Sequence, residues 1–285
     1  MRIAMTYTRL RAEERLLLDA FESLGVSVEP IDLRAVVFDP IDPGAWRSFD
    51  AVIDRSVSLS STLAAVRVLQ GHGVRCINQL QAIETCSDKL STSIALARAG
   101  VPQARVRVAV TAEAGLAAVE QLGYPAVVKP VVGSWGRLVA RLSDRDAAEA
   151  VLEHRETLGS AQQRIVYAQE HINKPGHDIR VFVVGGHAIA AITRYSDHWV
   201  TNTARGGTAE GLPLTDELRD LAVRSAAAAG ADVVAVDLLE CPERGLLVNE
   251  LNHSMEFRNS IATTGVDIPR LVAEHTVSIA EGVAA

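Results

Sequence analysis

A chain of 285 residues is longer than one small core requires and calls for two or three packed lobes. With 48% hydrophobic, 22% charged and 4% aromatic residues, its interior is built mainly from Val, Leu, Ile and Ala, which excludes a disordered chain. A net charge of -7 excludes a general nucleic-acid surface, and no stretch approaches the roughly 20 apolar residues that span a bilayer, so a cytoplasmic protein without nucleic-acid or membrane partner is expected.

From the N-terminus, residues 2–7 read as a buried strand, 13–24 as a helix with Leu17, Phe21 and Leu24 on one face, and 26–33 as the next strand. Residues 51–54, the helical run 61–70 and the apolar pair Cys76-Ile77 continue this βαβ alternation, so a small parallel sheet covered by helices is predicted. No Gly-x-Gly-x-x-Gly follows the first strand, which argues against a dinucleotide site. A helix over 88–99 ends at Gly100, and a strand at 104–110, a helix at 112–122 and a strand at 126–129 build a second α/β lobe. After the turn 133–136 come a strand through Leu142 and a helix from Asp144, its N-cap, to about 156, with the lobe ending near Ser160.

Residues 165–169 open the last lobe as a strand, and 179–184 with 187–194 form a hairpin about Gly185-Gly186. A second hairpin joins 233–239 to 245–251 through the polar turn 240–244, and a helix runs from about 269 to 281. Cys76, Cys86 and Cys241 are far apart and lack Cys-x-x-Cys spacing, so neither a disulfide framework nor a zinc site is indicated.

Asp237 lies on one strand of the last hairpin, and Glu250 and Asn252 lie two apart on its partner, so their oxygens converge on one face. Carboxylate and amide oxygens suit magnesium, with phosphates and water completing the shell, and a pair of ions fits better than one. Lys129 closes the strand YPAVVKP before the loop holding Gly133, Ser134, Trp135 and Gly136; with Lys89 it is the candidate phosphate cation, although a lone strand-end lysine is more often a solvated charge. Gln169, Glu170, His171 and Ile172 form a hinge suited to adenine, with Glu170 or Asp178 accepting from ribose. Arg180, Arg194 and Arg205, singly ordinary surface charges, together form a candidate transition-state clamp with Asn202. No histidine is assigned to catalysis, and Ser134 lacks the Gly-x-Ser-x-Gly context of a serine hydrolase.

In order, SDKLST, YPAVVKPVVGSWGR, QEHINKPGHDIRVFVVGG, TNTARGG, VAVDLLE and VNELNHSMEFRNS resemble the ATP-grasp ligases of the ribosomal-S6-modifying type, and NELNHSMEFRNSIATTGVDIP is most similar to the LysX branch. The resemblance implies an α/β ATP-grasp fold: a pre-ATP-grasp lobe at 1–86, a central lobe with the phosphate flap at 87–162, and a C-terminal lobe at 163–285, with ATP clamped between the last two. It makes Lys89, Lys129 and Asp178 nucleotide-site residues, Asp237, Glu250 and Asn252 ligands of two magnesium or manganese ions, and Arg180, Arg194, Asn202 and Arg205 phosphate- and substrate-facing groups. Phe257, Arg258, Asn259, Ser260, Thr263 and Thr264 fall where the incoming amino acid sits in such enzymes, and Arg258 suits a side-chain carboxylate.

The implied reaction activates the C-terminal glutamate γ-carboxylate of a small acidic amino-group carrier protein as an acyl phosphate and joins it to the α-amine of α-aminoadipate. Glutamate, an arginine or secondary-metabolite pathway, a ribosomal tail as acceptor, and a non-catalytic nucleotide-binding scaffold are the other readings. A homo-oligomer, dimer or tetramer, is expected.

Overall fold

The computed structural model describes residues 1–133, 136–201 and 207–282. The expected βαβ opening forms a parallel sheet of order β2-β1-β3-β4, from β1 (Ile3–Tyr7), β2 (Val28–Asp32), β3 (Ala51–Asp54) and β4 (Cys76–Ile77). Strand alternation sends Ile3 and Met5 to one face, against Leu17 and Phe21 of α1 (Ala12–Ser23). Ala4 and Val52 take the other face, against Val66 and Leu69 of α2 (Leu59–Gly71).

Next come α3 (Leu80–Ser87), which the sequence reading missed, and α4 (Lys89–Arg98), capped by the Asp88 carboxylate on the Ser91 amide. Ala82, Cys86 and Leu96 from these helices pack not on the neighbouring lobes but on the last sheet, beside Leu221 and Ala222 of α7 (Asp216–Ala229).

The central sheet has the order β5-β8-β6-β7, all antiparallel: β5 (Val106–Ala109), β6 (Ala126–Lys129), β7 (Ala140–Leu142) and β8 (Val166–Glu170). One face is covered by α5 (Ala112–Leu122) and α6 (Arg145–Leu158) through Val119, Leu122, Ala148 and Leu152. The boundary expected at 163 precedes β8, yet β8 pairs with β5 and β6 and sits inside this sheet. Chain order does not reveal that a strand after a crossover helix returns to the middle.

The last sheet is antiparallel, β11-β10-β9-β12-β13, from β9 (His177–Val184), β10 (His187–Tyr195), β11 (Thr208–Leu212), β12 (Val233–Cys241) and β13 (Gly245–Asn252). The β9–β10 hairpin turns on Gly185 and Gly186 with φ of 55° and 75°, a two-residue turn that glycine enters without steric cost. Ile179, Val181, Val234, Val236 and Leu238 point to the α7 side. On the opposite face Phe182, Val184, Ile192, Val233 and Ala235 meet the first lobe and α9 (Ile268–Glu281). The same alternation continues along this second face into Asp178, Arg180, Arg194 and Asp237: one end of the face is core and the other is charged. No helix among the described residues is long and apolar enough to cross a membrane.

Candidate active site

The charged end of the face borders a cleft of about 640 Å3 between the central and last sheets. Its layout follows from strand register. Arg194 on β10 stands opposite Asp178 on β9, while Arg180 on β9 stands opposite Asp237 on β12, which in turn stands opposite Glu250 on β13. Cross-strand neighbours of opposite charge pair. Arg194 Nε donates to Asp178 Oδ1 at 2.6 Å, Arg180 donates Nε and Nη2 to the two Asp237 oxygens at 2.7 and 2.8 Å, and Arg194 Nη2 lies 3.1 Å from Asp237 Oδ2. Thr201 donates its hydroxyl to Asp178, whose other near cation is Lys174 at 3.8 Å.

Asp237 is only 6% exposed, and burial favours its neutral form; Arg180 and Arg194 outweigh that penalty and hold the carboxyl below the usual carboxylate range. The same contacts raise Arg194 above its ordinary value although burial opposes its charge. Asn252 completes the row by donating Nδ2 to Asp237 Oδ2 at 3.3 Å. The structure therefore brings Asp237, Glu250 and Asn252 together as the sequence predicts. Oxygen donors without histidine or thiolate suit a hard cation, although both Asp237 oxygens already accept from arginine; Glu250 is the carboxylate left facing the cleft, with Lys89 Nζ 3.9 Å away.

Across the cleft Lys129, which the sequence reading left open as a solvated charge, is 8% exposed. Its ammonium donates to Gln169 Oε1 at 2.8 Å and Asn249 Oδ1 at 2.9 Å. Asn249 was not anticipated: the register slips between Asp237 and Leu238, and the bulge turns both Asn249 and Glu250 to the cleft. Lys89 donates to the Gly133 carbonyl at 2.8 Å, anchoring the start of the 133–136 loop. His171 and Ile172 also line the cleft, the His171 ring 6.1 Å from that of Trp199.

Other expected groups are placed differently. The Glu170 carboxylate accepts from the Arg105 amide and guanidinium, both at 2.7 Å, and from Arg244, and Asp178 is spent on Arg194 and Thr201; neither is turned free toward a ribose. Phe257 is 1% exposed, a core side chain with the Arg55 guanidinium 5.8 Å from its ring centre. Thr263 and Thr264, on α8 (Arg258–Thr264), donate their hydroxyls back to the Ser260 carbonyl at 3.1 and 2.6 Å and line no part of the cleft. Arg258, Asn259 and Ser260 border a second cavity. Ser134, Trp135, Asn202 and Arg205 lie outside the described residues.

The chain matches the RimK-like ATP-grasp domain over residues 86–275 and the LysX pre-ATP-grasp domain over 3–85. It belongs to the RimK-like ATP-grasp family. It is 32% identical over 277 residues, 96% of this chain and 98% of the relative, to the glutamate–LysW ligase ArgX of Sulfurisphaera tokodaii. It is 33% identical over 271 residues, 94% of this chain and 95% of the relative, to the α-aminoadipate–LysW ligase LysX of the same organism. A RimK domain ATP-grasp protein from Sphaerobacter thermophilus superposes with a TM-score of 0.78 at 27% identity, covering 97% of this chain and all (100%) of that one. The chain is thus an ATP-grasp ligase, and ATP, typically with magnesium, is the nucleotide of its family.

In this ATP-grasp cleft burial lowers Lys129 to about 8, with Glu250 raising it and Lys89 and Lys174 adding to the fall. The ammonium loses its proton as pH rises through that value, so ATP affinity of the free enzyme should weaken above about pH 8. Between about 8 and the ordinary 10.5 the unfolded chain binds the extra proton, so the stability cost of burying this charge is relieved as pH rises. Lys129→Ala should lower ATP affinity about tenfold or more and flatten both profiles, as nucleotide titrations across pH will show.

α8 packs so tightly on β11 that a Cβ on Gly211 would overlap the Thr263 carbonyl oxygen. Gly211→Ala should therefore displace α8 at a cost of about 1–3 kcal/mol, which urea titrations of the variant and the parent will show. Equal stability of the two proteins would mean that α8 shifts without cost.

Proposed function

We propose that this ligase joins the α-amine of α-aminoadipate to the C-terminal glutamate γ-carboxylate of a small acidic carrier protein through an acyl phosphate. The observation that carries the reading is the charged row Arg194–Asp178 and Arg180–Asp237–Glu250, faced across one cleft by Lys129 and Lys89. In it the acceptor carboxylate would take the γ-phosphoryl group of ATP with loss of ADP; the amine would then displace phosphate, leaving an amide and releasing a proton. Asp237, Glu250 and Asn252 would hold two magnesium or manganese ions, which when bound neutralise phosphate charge. Arg180 and Arg194, fixed by their carboxylates, lie ready to meet developing negative charge, and the buried Lys129 offers a cation in a setting poor in water. The carrier is supported by the LysW ligase names of relatives that match almost the whole chain.

Glutamate is the second reading, because the ArgX relative matches as fully as the LysX one. One methylene separates the two amino acids, a difference worth only about 1–3 kcal/mol in a pocket. Carrier protein, ribosomal-protein tail and free dipeptide, each offered with ATP, magnesium and either amino acid, test the proposal. The carrier alone should gain the mass of one residue per ADP released. Extension of the tail or dipeptide with an unmodified carrier would contradict it.

A further inference from the structure

Arg155 is a cation that the chemistry of the cleft leaves unexplained. It stands in the last turn of α6, is 9% exposed and lines no part of the cleft. No carboxylate among the described residues pairs with it, and burial pulls its pKa below the ordinary value. A guanidinium taken out of water without a counter-ion is costly, and an apolar side chain would fill such a place at less cost. What its donors reach must account for it.

Those donors go to backbone carbonyls at the two feet of the loop that joins β6 to β7. Nη2 donates to the Leu138 carbonyl at 2.6 Å and, more loosely, to that of Val128 at 3.4 Å, while Nη1 reaches the Lys129 carbonyl at 3.5 Å. Val128 and Ala140 form the last pair of the β6–β7 ladder, so the guanidinium takes over where strand pairing stops. Leu138 is presented to it at a cost: its φ is 57°, a left-handed conformation that residues other than glycine rarely adopt, and its side chain, 64% exposed, gains little by packing. From the cleft side the same loop is met by Lys89, which donates to the Gly133 carbonyl, and by Val200 of the last lobe, whose Cγ1 would lie 2.9 Å from a Cβ on Gly136. Lys89 lines the cleft and can exchange that carbonyl for a phosphate oxygen; Arg155, outside the cleft, cannot.

We propose that Arg155 is a positioning residue for the nucleotide: by tying Leu138 to the end of β6 it fixes both feet of the loop relative to Lys129, so that loop and lysine meet the same phosphates. This role rests on the reading of Lys129 and the 133–136 loop as the phosphate site and adds the group that holds the two in register. Without those donors the feet can part, and the loss falls on ligands that carry β- and γ-phosphates.

Binding of a non-hydrolysable ATP analogue and of AMP, which lacks both outer phosphates, to the full chain with magnesium tests this. Arg155→Met, which keeps the stem and removes the donors, should weaken the ATP analogue about tenfold or more and AMP by no more than about twofold. Arg155→Lys, with one compact ammonium in place of the planar fork, should fall between parent and Arg155→Met. Leu138→Pro reaches the same contact from the other side: proline cannot take a φ of 57°, so this change should reproduce the selective loss with Arg155 intact. Combining Arg155→Met with Leu138→Pro should cost no more than the more affected single change, because both remove one contact. Thermal melts establish that each variant is folded at the temperature of the titrations. An ATP-analogue affinity unchanged in folded Arg155→Met and Leu138→Pro, or equal losses for the ATP analogue and AMP, overturns the inference and leaves Arg155 a part in stability alone. Lys129→Ala separates that outcome from failure of the phosphate-site reading, since in the latter case it too would bind the ATP analogue as the parent does.

Discussion

Glu250→Gln should lower turnover about a hundred- to thousand-fold while leaving the melting temperature within a degree or so of the parent. Glu250 faces the cleft, half-buried, opposite Asp237, and Lys89 Nζ lies 3.9 Å from its carboxylate. Such a loose ion pair contributes about 0–1 kcal/mol to folding, and glutamine preserves the shape. What is lost is an anionic oxygen where a hard cation and phosphates would meet. Steady-state rates at saturating ATP, beside a thermal melt, check both halves. Full activity would remove Glu250 from the site.

Asp237→Ala should behave differently, destabilising the fold by about 3–5 kcal/mol as well as abolishing activity. The carboxylate is 6% exposed and is shared by Arg180 and Arg194, so truncation strands the Arg180 guanidinium on a buried sheet face and leaves Arg194 with Asp178 alone. Because folding lowers the pKa of Asp237 from 3.8, its contribution is present above that value and is lost as pH falls below it. Urea titrations at neutral and acid pH should show the parent losing stability along this limb and the variant losing less. Equal neutral-pH stability would mean that the arginines find other partners.

These two variants also mark how far residue types alone can be read. Asp237, Glu250 and Asn252 were legible because two-residue alternation along a hairpin puts them on one face, and the structure keeps that register. Asn249 was not, since a bulge between Asp237 and Leu238 breaks the alternation, and nothing in NELN announces it. Lys129 was visible only as a strand end; its burial depends on β6 lying against β8 and facing the β13 bulge, contacts 40 and 120 residues distant in the chain. Glu170 and Asp178 looked like free acceptors because their arginine partners come from distant segments: Arg105 just before β5 and Arg244 in the β12–β13 turn for Glu170, and Arg194 on β10 for Asp178. Phe257 lies five residues beyond Asn252 but is drawn into the core between the first lobe and the last sheet. The strand–helix alternation showed most elements, but the seating of β8 in the central sheet and of α3 on the last one is tertiary information. The family resemblance read from six motifs in order agrees with the RimK-like and LysX pre-ATP-grasp matches.

The claim that this cleft activates a carboxylate as an acyl phosphate is tested most directly by the fate of heavy oxygen placed in the γ-carboxylate of the carrier's terminal glutamate. During turnover with ATP, magnesium and α-aminoadipate or glutamate, one labelled oxygen per amide formed should appear in inorganic phosphate, with ADP as the other product. Unlabelled phosphate, or AMP and pyrophosphate in place of ADP and phosphate, would contradict the account.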